Sequence, residues 1–200
     1  GFTRDDDRLP IRFMEEPVPE GPMQGSLVSK ETLEDLKDQY YDYRGWDLYQ
    51  NEKKFSVHIV SQWPDNAIKV TTRSDLVKEK IFQHVFVTYD GSGKAKGVKI
   101  YIDGVEAPVA ADKDSLQDTI RTKAPLRVAQ RSKGHELERG RLQDVRVYSR
   151  KLASNEVATL TKAVPARYAL SVAPEKRSAE QKDGIFDYWL TTRDDTYVAR

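Results

Sequence analysis

Three histidines, His58, His84 and His135, could act as general bases or metal ligands near neutral pH, and they lie far apart in sequence. None stands in the H-x-H or H-x-x-x-H spacing that would put two imidazoles on one ion. His58 and His84 each fall at an alternating strand position, where a hydrogen-bonded structural histidine is the commoner finding. The chain has no cysteine, which excludes thiolate nucleophiles, disulfides, thiolate metal sites and haem attachment through C-x-x-C-H. No serine sits in a G-x-S-x-G turn. A retaining glycosidase needs two carboxylates on one strand face, about 5–5.5 Å apart, but neither E-x-D-x-E nor E-x-D-x-x-E occurs. Glu15-Glu16 and the carboxylates from Glu31 to Asp38 fall on segments read as loops or helical turns. A diverged glycosidase would need carboxylates paired in space and not in sequence. The run GSGKAKG from Gly91 lacks the spacing of a phosphate loop and precedes a strand, so it reads as a hairpin loop. No catalytic residue is assigned, and the chain is expected not to be an enzyme.

Binding is the chemistry that remains open to these residues. Trp63-Pro64-Asp65-Asn66 sets an indole beside two short polar side chains in a loop, offering a stacking face for a sugar ring and partners for its hydroxyls. Lys99 and Tyr101, on the outward face of the second hairpin strand, could extend that surface together with Arg44 and Tyr49. The alternative is that Trp63 plugs a corner while Asp65 and Asn66 only shape a turn.

These side chains need strands to hold them. Val85, Val87 and Tyr89 alternate with polar or smaller neighbours, and Val98, Ile100 and Ile102 do the same after a loop holding Gly91, Gly93 and Gly97. Asp103-Gly104 then supplies a tight turn with positive φ, so a third strand follows and the unit is a β-meander. Earlier, Leu9, Ile11 and Phe13 predict an outer strand carrying Pro10, and a loop rich in proline and glycine leads to a short strand over 26–30. Glu31 to Gln39 predicts one or two helical turns. Trp46 and Leu48, then Phe55, Val57 and Ile59, predict inner faces of two strands with a turn at Asn51-Glu52. Ile68 and Val70, Leu126 and Val128, and Val145 and Val147 predict three more. Many short strands at this spacing indicate a two-layer antiparallel β-sandwich. Ser154 is a candidate cap for a helix over Val157 and Leu160 that Pro165 ends. Ser178 and Gln181 form a capping box opening a helix with Ile185, Phe186, Trp189 and Leu190 on one face.

HVFVTYDGSGKAKGVKIYIDG resembles the central hairpin of the laminin-G-like, concanavalin A-like lectin/glucanase superfamily. GRLQDVRVYSRKLASNEVATL, Gly140 to Leu160, is similar to that family's closing strand and short following helix. RGWDLY (Arg44 to Tyr49) and WPDNAIKV (Trp63 to Val70) resemble the module inserted in large planctomycete proteins that also carry cytochrome-c-like domains. The resemblance implies an all-β jelly roll over residues 1–163, followed by a helical tail or connector over 164–200. It implies a non-catalytic recognition module for a polysaccharide or glycoprotein, or else a structural or protein-interaction domain that docks neighbouring domains of its parent. It implies export to the periplasm or cell surface, with any signal outside this chain, which reads as a piece of a longer protein. Family members hold one or two strands before the equivalent of Phe2, so another segment or a partner is expected to cover a bare sheet edge. Many also hold calcium at the sandwich rim; Asp90 and Asp144 are the candidate ligands, although the family's acidic pair is Gln143-Asp144 here.

The 200 residues fit one all-β domain with a tail. With 33 basic and 32 acidic side chains the net charge is +1, which argues neither for a nucleic-acid binder nor for a trap for acidic ligands, and no nucleic-acid partner is expected. Charge is nonetheless uneven: residues 1–52 carry 13 acidic against 6 basic side chains, and 121–151 carry 10 basic against 3. Such asymmetry marks either a partner surface or ordinary solvated strand faces. No apolar run reaches the ~18 residues of a membrane helix, so direct membrane insertion is not expected.

Overall fold

The computed structural model describes residues 25–31, 43–131, 136–137 and 140–198. The strand expected over Leu9–Phe13, the loop after it, the helical turns over 32–39 and His135 lie outside the described residues.

Nine strands form two antiparallel sheets among the described residues. They are β1 (Gly25–Glu31), β2 (Gly45–Asn51), β3 (Lys54–Gln62), β4 (Asn66–Thr72), β5 (Val85–Tyr89), β6 (Val98–Ile102), β7 (Val105–Ala107), β8 (Val109–Asp114) and β9 (Arg127–Val128). The larger sheet runs β8-β4-β3-β2-β1-β9 and the smaller β5-β6-β7. Val57, Ile59, Ile68 and Val70 from one sheet meet Ala95, Val98 and Ile100 from the other, and these inner faces are the core. Period-2 alternation puts one face of each strand inward, as the sandwich reading requires. The meander is formed as expected: Asp103 and Gly104 take φ 51° and 82°, the left-handed pair that turns β6 tightly into β7.

Helix α1 (Ser154–Ser171) adds a third layer on the outward face of the smaller sheet. Leu152, Val157 and Leu160 pack there against Tyr101 and Phe86. Ala153, and not Ser154, is the N-cap; the Glu156 carboxylate accepts the Ala153 N–H at 2.8 Å. Pro165 does not end this helix but lies inside it. Packing of Val157, Ala166 and Ala169 on either side of the proline carries the helix through the missing backbone bond. Helix α2 (Ala179–Arg193) opens on the expected capping box: Gln181 N–H donates to Ser178 Oγ at 3.2 Å and Ser178 N–H to Gln181 Oε1 at 3.0 Å. Arg177 reaches back to cap α1, donating from Nε to Ala169 O (3.0 Å) and Val172 O (2.9 Å). A last helical turn, α3 (Asp195–Val198), follows.

Two strand expectations are corrected. Among the described residues the last strand belongs to neither sheet: residues 141–148 form no ladder with them, and Val145 and Val147 are exposed. Their alternation would bury one face only if a neighbouring strand pairs with them, and among the described residues β5 on that side pairs with β6 alone. The strand over Leu126 and Val128 shrinks to the two residues of β9, Arg127–Val128, at the end of the strand order, and Leu126 and Val128 are exposed.

Candidate ligand-binding surface

The two-residue turn at Glu52-Lys53 sets the register of β2 and β3 so that Asp47 lies directly opposite His58. Both point away from the core, between inward Trp46 and Leu48 on one strand and Val57 and Ile59 on the other. Asp47 is fully buried and His58 9% exposed. Asp47 Oδ1 lies 2.6 Å from His58 Nδ1. Its other oxygen, Oδ2, is 3.2 Å from Arg131 Nε, an ion pair without the alignment of a hydrogen bond. The Arg131 guanidinium lies over two tyrosine rings, 5.4 Å from the centroid of Tyr43 and 5.7 Å from that of Tyr49. Trp63, joined to Pro64 by a cis peptide, sets its indole edge-on to His58 with centroids 5.8 Å apart.

Further polar residues continue the row across the sheet. Ser29 pairs with Asp47, and Lys69 with His58. Thr71 Oγ1 donates to Asp112 at 2.6 Å, and Lys69 Nζ stands 3.7 Å from the same carboxylate. Burial of a carboxylate is costly unless it is compensated; for Asp47 the His58 ring at 2.6 Å and the Arg131 guanidinium at 3.2 Å supply the compensation. The result is a fixed imidazole under a half-buried indole, flanked by tyrosine and arginine.

The residues selected from sequence are divided by the fold. Trp63 and Tyr49 come together on this face. Asp65 is exposed in the β3–β4 turn. Asn66 brackets the loop after β8, accepting the Gln117 N–H at 2.8 Å and donating to Asp118 at 2.7 Å. Arg44 donates to Thr119 O at 3.3 Å. Lys99 and Tyr101 belong to the other sheet. Lys99 pairs with Glu106 at 2.8 Å, which raises its pKa. Tyr101 does point outward from the sandwich, but it is 2% exposed because α1 covers it, and its hydroxyl lies 3.1 Å from Ser154 Oγ. It is therefore a core residue and not part of a ligand surface.

Asp47, His58, Arg131 and Tyr43 were not selected from sequence as a binding set. The usable signal was Asp47 itself, a carboxylate between Trp46 and Leu48, together with a hairpin turn that fixes its cross-strand partner. Nothing in the sequence locates Arg131, which lies 84 positions after Asp47.

The candidate calcium ligands have local roles. Ser92 N–H donates to Asp90 at 2.9 Å, and hydrogen bonds from Ser92 hold the Asp90 pKa below its ordinary value. Asp144 takes two bonds from Arg146, at 2.6 and 2.7 Å. Among the described residues no three His, Asp or Glu side chains converge as a metal site. Catalytic pairing is likewise missing there. His58 bonds to a carboxylate and to no hydroxyl. Thr161 donates its proton to Val157 O and so accepts from His84 Nδ1 at 3.0 Å, leaving no activated nucleophile.

Comparison with known proteins agrees with this architecture. A stretch of 41 residues, 20% of the chain, is 51% identical to the tungsten-containing aldehyde ferredoxin oxidoreductase of Pyrococcus furiosus. The corresponding proteins of Thermococcus kodakarensis and Pyrococcus horikoshii are 49% identical over the same length. The match spans 6% of each of those proteins, too little to carry an activity to this chain. No solved structure matches. Residues 25–158 match the laminin-G-like family profile described as Concanavalin A-like lectin/glucanases superfamily, which takes in both sheets and the start of α1. The chain belongs to this family, whose laminin-G-like modules are generally non-catalytic.

Proposed function

We propose that this domain is a non-catalytic glycan-recognition module, with the outer face of the larger sheet as its binding surface. The observation that carries the reading is Trp63 set against a histidine whose Nδ1 is anchored by a buried carboxylate. Anchoring one ring nitrogen fixes the orientation of the imidazole and assigns Nε2 to any further polar contact. An aromatic face beside such a polar group is the pairing that a sugar ring with its hydroxyls requires. The parent we envisage is a longer, exported multi-domain protein of the planctomycete type, a reading supported by the sequence resemblance.

The test is binding to neutral, acidic and sulfated polysaccharides, comparing the wild type with Trp63→Ala and His58→Ala at two salt concentrations. Saturable binding that both substitutions abolish, in variants that stay folded, supports the reading. Binding only to sulfated polymers, salt-sensitive and indifferent to both, would assign it to the basic 121–151 region instead. Absence of any binding would refute glycan recognition for these polymers.

A second reading, a structural or protein-interaction domain of the parent, is supported by α2. Phe186 and Trp189 stack with centroids 6.3 Å apart yet remain 60% and 48% exposed. Adjacent exposed aromatics of this kind mark contact surfaces. Loss of binding to the parent's neighbouring domains in Phe186→Ser/Trp189→Ser would support it.

A further inference from the structure

Residues 73–84 join β4 to β5 without forming strand or helix, yet hydrogen bonds fix their course. Arg73 N–H donates to Pro108 O at 2.9 Å and Arg73 Nε to Val109 O at 3.1 Å. The N–H groups of Leu76 and Val77 both donate to Lys53 O, at 2.8 and 3.0 Å. The Gln83 side chain closes the second half, accepting the Lys78 N–H at 2.6 Å and donating to Leu76 O at 3.0 Å. Within this brace Lys80 takes φ 62°, a left-handed conformation that a non-glycine residue keeps only where its surroundings impose it.

The brace divides four large apolar side chains. Leu76 and Val77 are half-buried, whereas Ile81 and Phe82 are 59% and 66% exposed. A loop held by its own hydrogen bonds so that two adjacent large apolar groups stand in water presents them to a partner. Lys78 and Lys80 are exposed beside them, as is Lys53 on the turn that anchors the loop. Residues 52–54 and 73–84 together hold five basic side chains against three acidic ones, Glu52, Asp75 and Glu79. Area decides the class of partner. A stable protein interface buries about 800 Å² on each side, whereas one aromatic side chain supplies about 150–250 Å². A bilayer demands neither that area nor a matching shape. It takes apolar side chains into the boundary of its acyl chains and keeps lysine ammonium groups among the headgroups, where anionic lipid attracts them.

We propose that the Ile81-Phe82 tip, flanked by Lys53, Lys78 and Lys80, docks the domain on the surface of a bilayer that carries anionic lipid. The loop rests in the interface and does not span it; among the described residues no helix is long and apolar enough to cross a membrane. The apolar pair supplies the insertion and the lysines the preference for negative charge. This docking point is independent of the glycan reading, since it shares no residue with the face that holds Trp63 and His58.

The test is co-sedimentation of the full chain with vesicles of phosphatidylcholine alone and of phosphatidylcholine mixed with phosphatidylserine. The wild type is expected to bind the mixed vesicles, and Ile81→Ser/Phe82→Ser to lower that affinity at least about tenfold, because burial of one such side chain already corresponds to about that factor. Lys78→Gln/Lys80→Gln should cost about fivefold per lysine, and added salt should remove that part alone. Val147→Ser/Leu170→Ser, which removes two apolar side chains of similar exposure elsewhere, should leave binding unchanged. The chain has no cysteine, so an environment-sensitive fluorophore on Glu79→Cys reports the tip alone; its emission should shift to the blue with the mixed vesicles, and the same label on Leu170→Cys should not respond. No binding to either vesicle, binding indifferent to Ile81→Ser/Phe82→Ser, or an equal loss in the control variant overturns the assignment. Self-association that Ile81→Ser/Phe82→Ser dissolves, without vesicle binding, would give the tip to a second copy of the chain and overturn it too.

Discussion

Asp47→Ala is expected to destabilise the domain by about 3 kcal/mol, because removing one partner of a buried ion pair costs about 3–5 kcal/mol. The survivors here are His58 and Arg131, whose side chains retain 11% and 21% exposure. Water reaches both, so the lower end of that range applies. For a chain of 200 residues, each kcal/mol moves Tm by about 2–4 °C, so Tm should fall by roughly 6–12 °C. The assay is thermal and urea unfolding of the wild type, Asp47→Ala, His58→Ala and the double variant. Coupling between the two sites should exceed about 1 kcal/mol, since they share a 2.6 Å contact in one network. Asp47→Asn, which keeps an acceptor for Nδ1 but no charge, should fall between wild type and Asp47→Ala. A loss below about 1 kcal/mol together with additive single effects would show that the contact contributes nothing, and the argument from burial would fail.

Glu156 has its pKa lowered to about 2 by the Arg150 guanidinium first and the Ala153 N–H second. Its contribution is therefore present above its ordinary value of 4.5 and is lost as pH falls from there toward about 2. Comparison of Glu156→Gln with the wild type over that window should show the Tm difference shrinking in acid; a constant difference would contradict it. Burial lowers the His84 pKa below 6.5, against the opposing effect of Asp103 and Asp144. Stability from keeping His84 neutral is complete above pH 6.5 and declines as pH falls through the folded value, so His84→Phe should flatten the pH dependence of Tm there. Tyr101→Phe should cost about 1 kcal/mol through the lost bond to Ser154, and Tyr101→Ala about 3–5 kcal/mol as a cavity opens under α1; equal unfolding midpoints for the two variants would refute the packing described.

Local signals were legible where neighbours in sequence are also neighbours in space. The Asp103-Gly104 turn and the Ser178/Gln181 box depend on adjacent residues, and both appear as expected. Alternation located Val57, Ile59, Ile68 and Val70 correctly because each strand has a partner on both sides. The same alternation at Val145 and Val147 has no such partner among the described residues, so pattern alone could not make a strand. Pro165 was misread because a local penalty was set against tertiary packing that the sequence does not display. Tyr101 failed for a related reason: strand period gives the side of the sheet, but not whether a helix fifty residues later lies over it. Within the candidate surface, Trp63 could be selected by type and position, whereas Arg131 is brought to Asp47 by topology.

Because α1 is built onto the outward face of the small sheet, the domain has a back and a front. A macromolecule arriving from behind meets helices, with Phe186 and Trp189 among the first side chains it touches. One arriving from in front meets strands, with Trp63, Tyr49 and Arg131 at the surface. The two approaches do not compete for the same residues. If both proposed readings hold, a domain gripped from behind by a neighbour would keep its front free for a ligand and serve as a bracket between the two.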